Sequence, residues 1–303
     1  MIKDSRIAVL LTCYNRKNKT INALRSLFDS IEFFENKFNK LQVTVYLTND
    51  GCTDGTPEEV EKQFTNKNIV IINADGNAYW AGGMRMAWKE AIKDDYDFYL
   101  LINDDTLLKN ECICELFNTN NYALTNFGKR GVYSGFVSSA YDESRITYGA
   151  KKYYNSFKTR AELLHPIGKP QECTLVNANI LLVSKDVVDS IGILDDIYIH
   201  AAADMDYGMK AYRKGFPVLT TSYVCGFCEN DHDNSDTERE KVVNMTLKER
   251  KAYIDRPNIK QYHDSAAYYW RYDKLRFVLL KCSYFLNLFC PSIYYRIYKR
   301  RNH

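Results

Sequence analysis

The chain has 303 residues, 46% hydrophobic and 14% aromatic, with a formal charge of +3. This excludes a disordered or collagenous chain and leaves one large domain or a domain with an appendage. No long apolar stretch with a small-residue cleavage site follows the opening Met-Ile-Lys-Asp-Ser-Arg, so no signal peptide is read there and a cytosolic protein is expected.

The nine cysteines are an odd number without framework spacing and are expected to be reduced, mostly core thiols. Cys225-Gly-Phe-Cys228 with His232 offers part of a zinc site but lacks a second close pair to complete it. Charge is unevenly spread: from Arg271 to the end, eight Lys/Arg stand against one Asp, so that segment carries +7 and the remainder −4. Such a surplus points to a nucleic acid or an anionic membrane. Here it is short and embedded in apolar sequence, which speaks against nucleic acid.

In chain order, Arg6 to Thr12 is a continuous apolar run, as expected of a parallel strand covered on both faces. Ile21, Leu24, Leu27, Phe28 and Ile31 form a helical stripe. Gln42 to Asn49 reads as the second strand, and Thr56-Pro57-Glu58-Glu59 as a helix start with Thr56 at the cap. Asn68 to Asn73 is a third strand, Ala81 to Ile92 a third helix, and the run beginning at Phe98 a fourth strand. This alternation predicts right-handed crossovers and a mostly parallel sheet flanked by helices.

Lys109 to Phe117 reads as a short helix, with weak strand signals at Tyr133 to Val137 and Arg145 to Tyr148. Cys173 to Ser184 reads as a strand, Ser184 as the cap of a helix Lys185 to Ile191, and Pro217 to Cys225 as a further strand. The character changes at Val242, which divides the chain into an expected catalytic domain, 1–241, and a helical, basic and aromatic extension, 242–303. Arg271 to Cys290 reads as one apolar helix, interrupted by Lys281 and Asn287 and too short to span a bilayer. Tyr294, Tyr295 and Tyr298 beside Arg296, Lys299, Arg300 and Arg301 suit a membrane interface, and suit equally a packed helix with a solvated tail.

The fourth strand ends in Asn103-Asp104-Asp105-Thr106. Adjacent carboxylates repel unless a cation sits with them, and a hard divalent ion with oxygen ligands is the common solution. Asn15 and Arg16 follow the first strand and Asp50 the second, so three loops bring polar groups to the carboxyl edge, where open α/β sheets bind ligands. Gly82 and Gly83 near a helix N-terminus either let the backbone approach a diphosphate or only allow tight packing on the sheet. Asp204 and Asp206 open a later helix about 200° apart, so one is the functional group and the other a cap or surface charge.

Thr12-Cys-Tyr-Asn-Arg16, Thr48-Asn-Asp-Gly-Cys-Thr-Asp-Gly-Thr56, Asn77 to Gly83 and Asn103-Asp-Asp105 resemble, in order, the motif series of family 2 glycosyltransferases, closest in flavour to bacterial rhamnosyltransferase-like and galactosyltransferase-like members. The resemblance covers roughly residues 6 to 232 and implies the GT-A fold, a nucleotide-diphospho-sugar donor, Mn²⁺ or Mg²⁺, and inversion at the transferred sugar. Carried onto this chain, it places Thr12, Tyr14, Asn15, Arg16, Asp50, Asn77, Trp80, Gly82, Gly83 and Asp104 around the donor, with Asp50 at the base or ribose. It makes Asp105 the direct metal ligand, His232 a further one, and Asp204 the catalytic base.

Two departures stand out: Tyr79 where such sequences often carry Gly, and Ala203 where a Glu is common. The implied acceptor is a saccharide or lipid-linked saccharide in bacterial surface polysaccharide assembly. The basic tail then suits peripheral contact with the inner face of the cell membrane. A sugar nucleotidyltransferase would want glycine-rich sequence after the first strand, which Thr12 to Asn15 does not offer. A non-catalytic subunit of the same fold remains the other reading.

Overall fold

A computed structural model of the chain describes residues 5–153, 161–229, 241–259 and 261–301, the last four in backbone only. The chain forms two compact units, Met1–Asp195 with Asp204–Asn230, and Asp196–Ala203 with Asp231–His303.

The first unit is built on β1 (Arg6–Cys13), β2 (Gln42–Asn49), β3 (Ile69–Asn73) and β4 (Phe98–Ile102), separated by α1 (Lys17–Glu35), α2 (Thr56–Gln63) and α3 (Tyr79–Ala91). β1 pairs in parallel with β2 on one side and β4 on the other, and β3 extends the sheet beyond β2. The continuous apolar runs are explained by burial on both faces: β4 is wholly buried and β1 nearly so. The α1 stripe of Ile21, Leu24, Leu27 and Ile31 packs into that core. Between β3 and β4 the chain crosses over β2 and β1, so the ends of β1 and β4 flank the point where the strand order reverses, the usual crevice for a ligand.

Beyond β4 come β5 (Leu107–Leu108), α4 (Cys112–Phe127), β6 (Val132–Ser138), β7 (Ile146–Tyr148) and the small hairpin β8 (Lys151–Tyr153) and β9 (Ala161–Leu163). β10 (Ile180–Ser184), α5 (Lys185–Ile191), α6 (Ala203–Arg213) and β11 (Val218–Phe227) follow. The sheet runs β3-β2-β1-β4-β10-β6-β11-β5, with β7 on β6. The expected α/β sheet with flanking helices is present, and β10 runs antiparallel between β4 and β6.

Several local expectations are corrected. α4 runs ten residues past Phe117, through Asn118-Thr119-Asn120-Asn121, which propensity disfavours. Tertiary contacts override the propensity: Asn120 is buried and accepts a hydrogen bond from the Tyr133 hydroxyl at 3.0 Å. Cys173 to Ser184 is strand only from Ile180, because the preceding stretch is tied elsewhere by single bridges, Lys151 to Leu175 and Glu172 to Leu219.

Thr56 is the first helical residue of α2 and not its cap. Gly55 takes the cap position at φ 76°, and the Asp54 carboxylate accepts from the Thr56 N–H at 3.1 Å. Ser184 does occupy the cap position of α5, but its hydroxyl makes no capping bond.

The second unit contains α7 (Leu247–Ile254), α8 (Tyr262–Tyr272), α9 (Lys274–Phe289) and α10 (Pro291–Arg301). The single helix expected from Arg271 is broken at Asp273, whose extended backbone and carboxylate, accepting from Arg276 N–H at 2.9 Å, start α9 afresh. Two buried charges organise this unit. Arg250 donates to the carbonyls of Val242, Val243, Met245 and Leu288. Asp264 accepts from the successive N–H groups of Ile199, His200 and Ala201 at 3.1, 2.7 and 2.7 Å. No helix among the described residues is long and apolar enough to cross a membrane.

Candidate active site

The polar loops expected at the carboxyl edge are joined there by one hydrogen-bonded network within the first unit. Asp50, buried at the end of β2, accepts from Ala78 N–H at 3.0 Å and Tyr79 N–H at 2.9 Å, a carboxylate at the positive end of α3. Tyr79 stands at φ 52°, the left-handed region that glycine favours, at the position where Gly is common in sequences of this kind. Next to it, the Trp80 indole N–H donates to Asn103 Oδ1 at 2.8 Å. Asn103 Nδ2 in turn donates to Asn179 Oδ1 at 3.2 Å. Ala178, one residue earlier, gives its N–H to Asp204 Oδ2 at 3.1 Å. Asp50, the Asn103-Asp104-Asp105 turn and Asp204 are thus linked through a few shared partners.

Arg16 closes the other side. Its Nη1 lies 2.8 Å from Asp105 Oδ2 and 3.3 Å from Asp104 Oδ1, so one guanidinium bridges both carboxylates. Burial pushes the Asp104 carboxyl up to about 7 against the opposing effect of Arg16, and the Asp105 charge adds to the rise. Asp104 Oδ2 is buried and has no hydrogen-bond partner among the described residues.

This orphaned oxygen tests the fit of a divalent cation. The donors are hard carboxylate oxygens, one of them unsatisfied, and a cationic side chain already occupies the charge-balancing position, so the residues fit Mg²⁺ or Mn²⁺. Among the described residues no group of three or more His, Cys, Asp or Glu could hold a metal, so the pair would need diphosphate oxygens and water to complete a coordination shell. Cys228 Sγ lies 3.6 Å from Asp105 Oδ1, but burial pushes its thiol up to about 12, so it stays neutral. His232 lies outside the described residues. Cys225 is buried in the core, and all nine cysteines are free thiols.

Asp204 and Asp206 face different partners, as their spacing requires. Asp204 takes N–H groups from Ala178 and, at 2.8 Å, from Met205. Burial raises its carboxyl above the ordinary range in spite of those donors. Asp206 is neither cap nor surface charge: it is buried and paired at 3.1 Å with Lys210, which also holds Asp195 at 3.1 Å.

The two glycines differ. A Cβ on Gly83 would lie 2.2 Å from Thr12 Oγ1, whereas one on Gly82 would meet nothing closer than 3.6 Å. Gly83 therefore serves close helix-on-strand packing, and the Gly82 position is open. Thr12 is buried under α3, while Tyr14 is exposed beyond the end of β1. Asn15 Oδ1 accepts from Thr53 N–H at 2.8 Å, and Asn77 is exposed with its N–H on Asp75 Oδ1 at 3.0 Å. The sequence reading missed the Asn177-Ala178-Asn179 turn, although two asparagines inside an apolar run were the available signal.

Comparisons with known proteins follow this geometry. Residues 8–180 match the family described as Glycosyl transferase family 2. No curated protein matches in sequence. Among solved structures, S. aureus TarS in complex with UDP-GlcNAc is 15% identical, with a TM-score of 0.53 over 81% of this chain and 69% of that one. The mannosyltransferase PcManGT from Pyrobaculum calidifontis, in complex with GDP-Man and Mn²⁺, is 13% identical, with a TM-score of 0.53 over 98% of this chain and 83% of that one. At these identities the likeness is one of fold.

Proposed function

The chain belongs to glycosyl transferase family 2, and from that premise we propose that it is a metal-dependent, inverting enzyme moving a sugar from a nucleotide-diphospho-sugar to an acceptor hydroxyl. The observation that carries this reading is the Asp104-Asp105 pair at the reversal of strand order, bridged by Arg16 and holding one buried carboxylate oxygen without a partner among the described residues. In this reading Asp105 and Asp104, with His232, would hold Mn²⁺ or Mg²⁺, and the ion would supply charge neutralisation for the leaving diphosphate.

Donor binding falls to Thr12, Tyr14, Asn15 and Arg16 after β1, Asp50 after β2, and Asn77, Trp80, Gly82 and Gly83 at α3. Asp50 and Gly83 act through backbone geometry: one fixes the Tyr79 turn, the other seats the helix on β1. Asp204 accepts the proton of the acceptor hydroxyl as that oxygen attacks the anomeric carbon from the face opposite the diphosphate, and this single displacement inverts configuration. Burial raises the Asp204 carboxyl, the direction that makes a carboxylate a better proton acceptor.

The donors held by TarS and the mannosyltransferase are nucleotide-diphospho-sugars, which supports the same donor class here. The acceptor is a saccharide or lipid-linked saccharide of bacterial surface polysaccharide assembly, met at the inner face of the cell membrane. The test is a panel of UDP-, dTDP- and GDP-sugars with Mn²⁺. At about a hundredfold excess over Kd, one donor should raise the melting temperature by roughly 5 °C and be turned over. Stabilisation without hydrolysis or transfer would favour the non-catalytic reading, and neither would refute the proposal.

A further inference from the structure

α9 carries an apolar face that the protein leaves in water. Leu275, Val278, Leu279, Phe285 and Phe289 are exposed, Leu275 at 69% and Phe289 at 61%. At 3.6 residues per turn these positions fall within an arc of about 120°, so they form one continuous stripe. The opposite side of the same helix is already packed, with Asn287 and Leu288 buried. Trp270 at the end of α8 and the one-turn pair Ile293 and Ile297 on α10 are exposed as well. Isolated surface aliphatics need no explanation, whereas a continuous helical stripe marks an interaction surface.

The charges beside the stripe select its partner. Lys274 and Lys281 are exposed and border it along one edge, and Arg296 is exposed between Ile293 and Ile297. Neither α9 nor α10 contains a carboxylate. The nearest in sequence, Asp273, already caps α9 and pairs with Arg276 at 3.3 Å. A symmetric contact with a second copy would set these cations against one another. An anionic bilayer satisfies both features, taking the aliphatic and aromatic side chains at the acyl boundary and the ammonium and guanidinium groups at the phosphates. The Lys274 ammonium sits 3.2 Å above the Trp270 ring, an aromatic-cation pair of the kind favoured at headgroup depth.

We propose that the α9 stripe, continued by Ile293 and Ile297, is a docking surface for an anionic lipid bilayer, with the helix lying in the interfacial plane. This deepens the membrane part of the proposed function and is independent of its catalytic part.

The experiment is flotation of the full chain with phosphatidylcholine vesicles and with vesicles about one third phosphatidylglycerol. Binding should be at least about tenfold stronger to the anionic vesicles and fall on raising NaCl from about 0.1 to 0.5 M. A Val278→Glu/Phe285→Glu variant should lose roughly a hundredfold in binding while keeping its circular dichroism and any Mn²⁺-dependent donor stabilisation.

Absence of phosphatidylglycerol-dependent binding would overturn the proposal, as would equal binding by the variant. So would a solution dimer that the same substitutions dissolve without any lipid binding. Should the glutamates prevent folding, a fluorophore on Cys282, an exposed residue of the same stripe, decides the matter in a Cys290→Ser background. Quenching by brominated acyl chains supports docking, and an unquenched label refutes it.

Discussion

Substituting Gly83 by Ala separates packing from ligand approach at the start of α3. The new Cβ would lie 2.2 Å from Thr12 Oγ1 and 2.7 Å from Thr12 Cβ, inside any permitted contact, and Thr12 is a short, buried side chain whose Cβ cannot move away without its backbone. Lifting the helix to relieve the clash breaks the hydrogen bond from Thr48 Oγ1 to the Gly83 carbonyl, 2.8 Å long. Overpacking of this kind costs about 1–3 kcal/mol, and loss of the Thr48 bond adds about 1 kcal/mol, so Gly83→Ala should cost roughly 2–4 kcal/mol in urea unfolding.

Thr12→Ala removes the closer clash and leaves the other, so the double variant should recover about half of the loss as a coupling energy. Gly82→Ala makes only ordinary contacts, at 3.6 Å or more, and should be neutral or up to about 1 kcal/mol stabilising because Ala is the better helix former. A Gly83→Ala protein within about 0.5 kcal/mol of wild type, or a double variant with no coupling, would refute the packing argument. If Gly82→Ala is stable yet loses donor stabilisation, the ligand-approach role belongs to Gly82.

The remaining predictions concern the carboxylates. Asp204→Asn should lower kcat by about 10²- to 10⁴-fold while leaving donor stabilisation nearly intact, and an active variant would remove Asp204 from its role. In the wild type, the acid limb of kcat should lie above the ordinary carboxylate range, since burial raises Asp204. For Asp104 the folded carboxyl is raised to about 7, so it favours the fold below about pH 4 and that contribution is lost as pH rises to 7. Asp104→Asn should therefore be more stable than wild type at pH 8 without metal, equal to it near pH 4, and no longer stabilised by Mn²⁺ with donor. Asp264 runs the other way: against burial, the His263 ring 3.0 Å away and the three backbone donors hold it below the ordinary range. It stabilises at neutral pH and loses that effect only as pH falls through its lowered folded value, so Asp264→Asn should be clearly destabilising at pH 7 and progressively less so in stronger acid, as read by urea unfolding.

The apolar runs made the parallel core legible, because a strand buried on both faces must be apolar along its whole length, as β1 and β4 are. Caps were harder to read. Thr56 was one residue off because the hydrogen bond that starts α2 is accepted by Asp54, and Thr and Asp satisfy the same propensity. α4 was shortened because its polar middle reads as a helix end, whereas Thr119 and Asn120 are buried there and Asn120 accepts from Tyr133, thirteen residues away. The break at Asp273 was legible in principle, as an Asp three residues before Arg276, but the apolar periodicity on both sides masked it. At the site, clustering of loops on one edge could be read from strand order, while the Trp80, Asn103 and Asn179 links depend on side-chain directions that spacing does not encode.

The acidic groups at this edge sort by what they already satisfy. Asp54 accepts the Lys17 N–H at 2.9 Å and the Thr56 N–H, fixing the starts of α1 and α2. Asp50 does the same for α3, and Asp206 is neutralised by Lys210. Each of these charges is matched within the fold, so each shapes the loops around the crevice without needing a ligand. Asp104 and Asp105 differ, because their shared counterion is one half-exposed arginine and one of their oxygens has no partner among the described residues. A guanidinium holds two carboxylates with directional bonds from a long side chain, and a small divalent ion on the same oxygens concentrates more charge at shorter range. Binding of such an ion should displace Arg16 from the pair and release it to face the diphosphate. Arg16→Ala should then bind Mn²⁺ alone more tightly than wild type but lose stabilisation by Mn²⁺ with UDP or GDP, as read by calorimetry and thermal shift. Equal Mn²⁺ affinity in the two proteins would show that the guanidinium and the ion do not share a site.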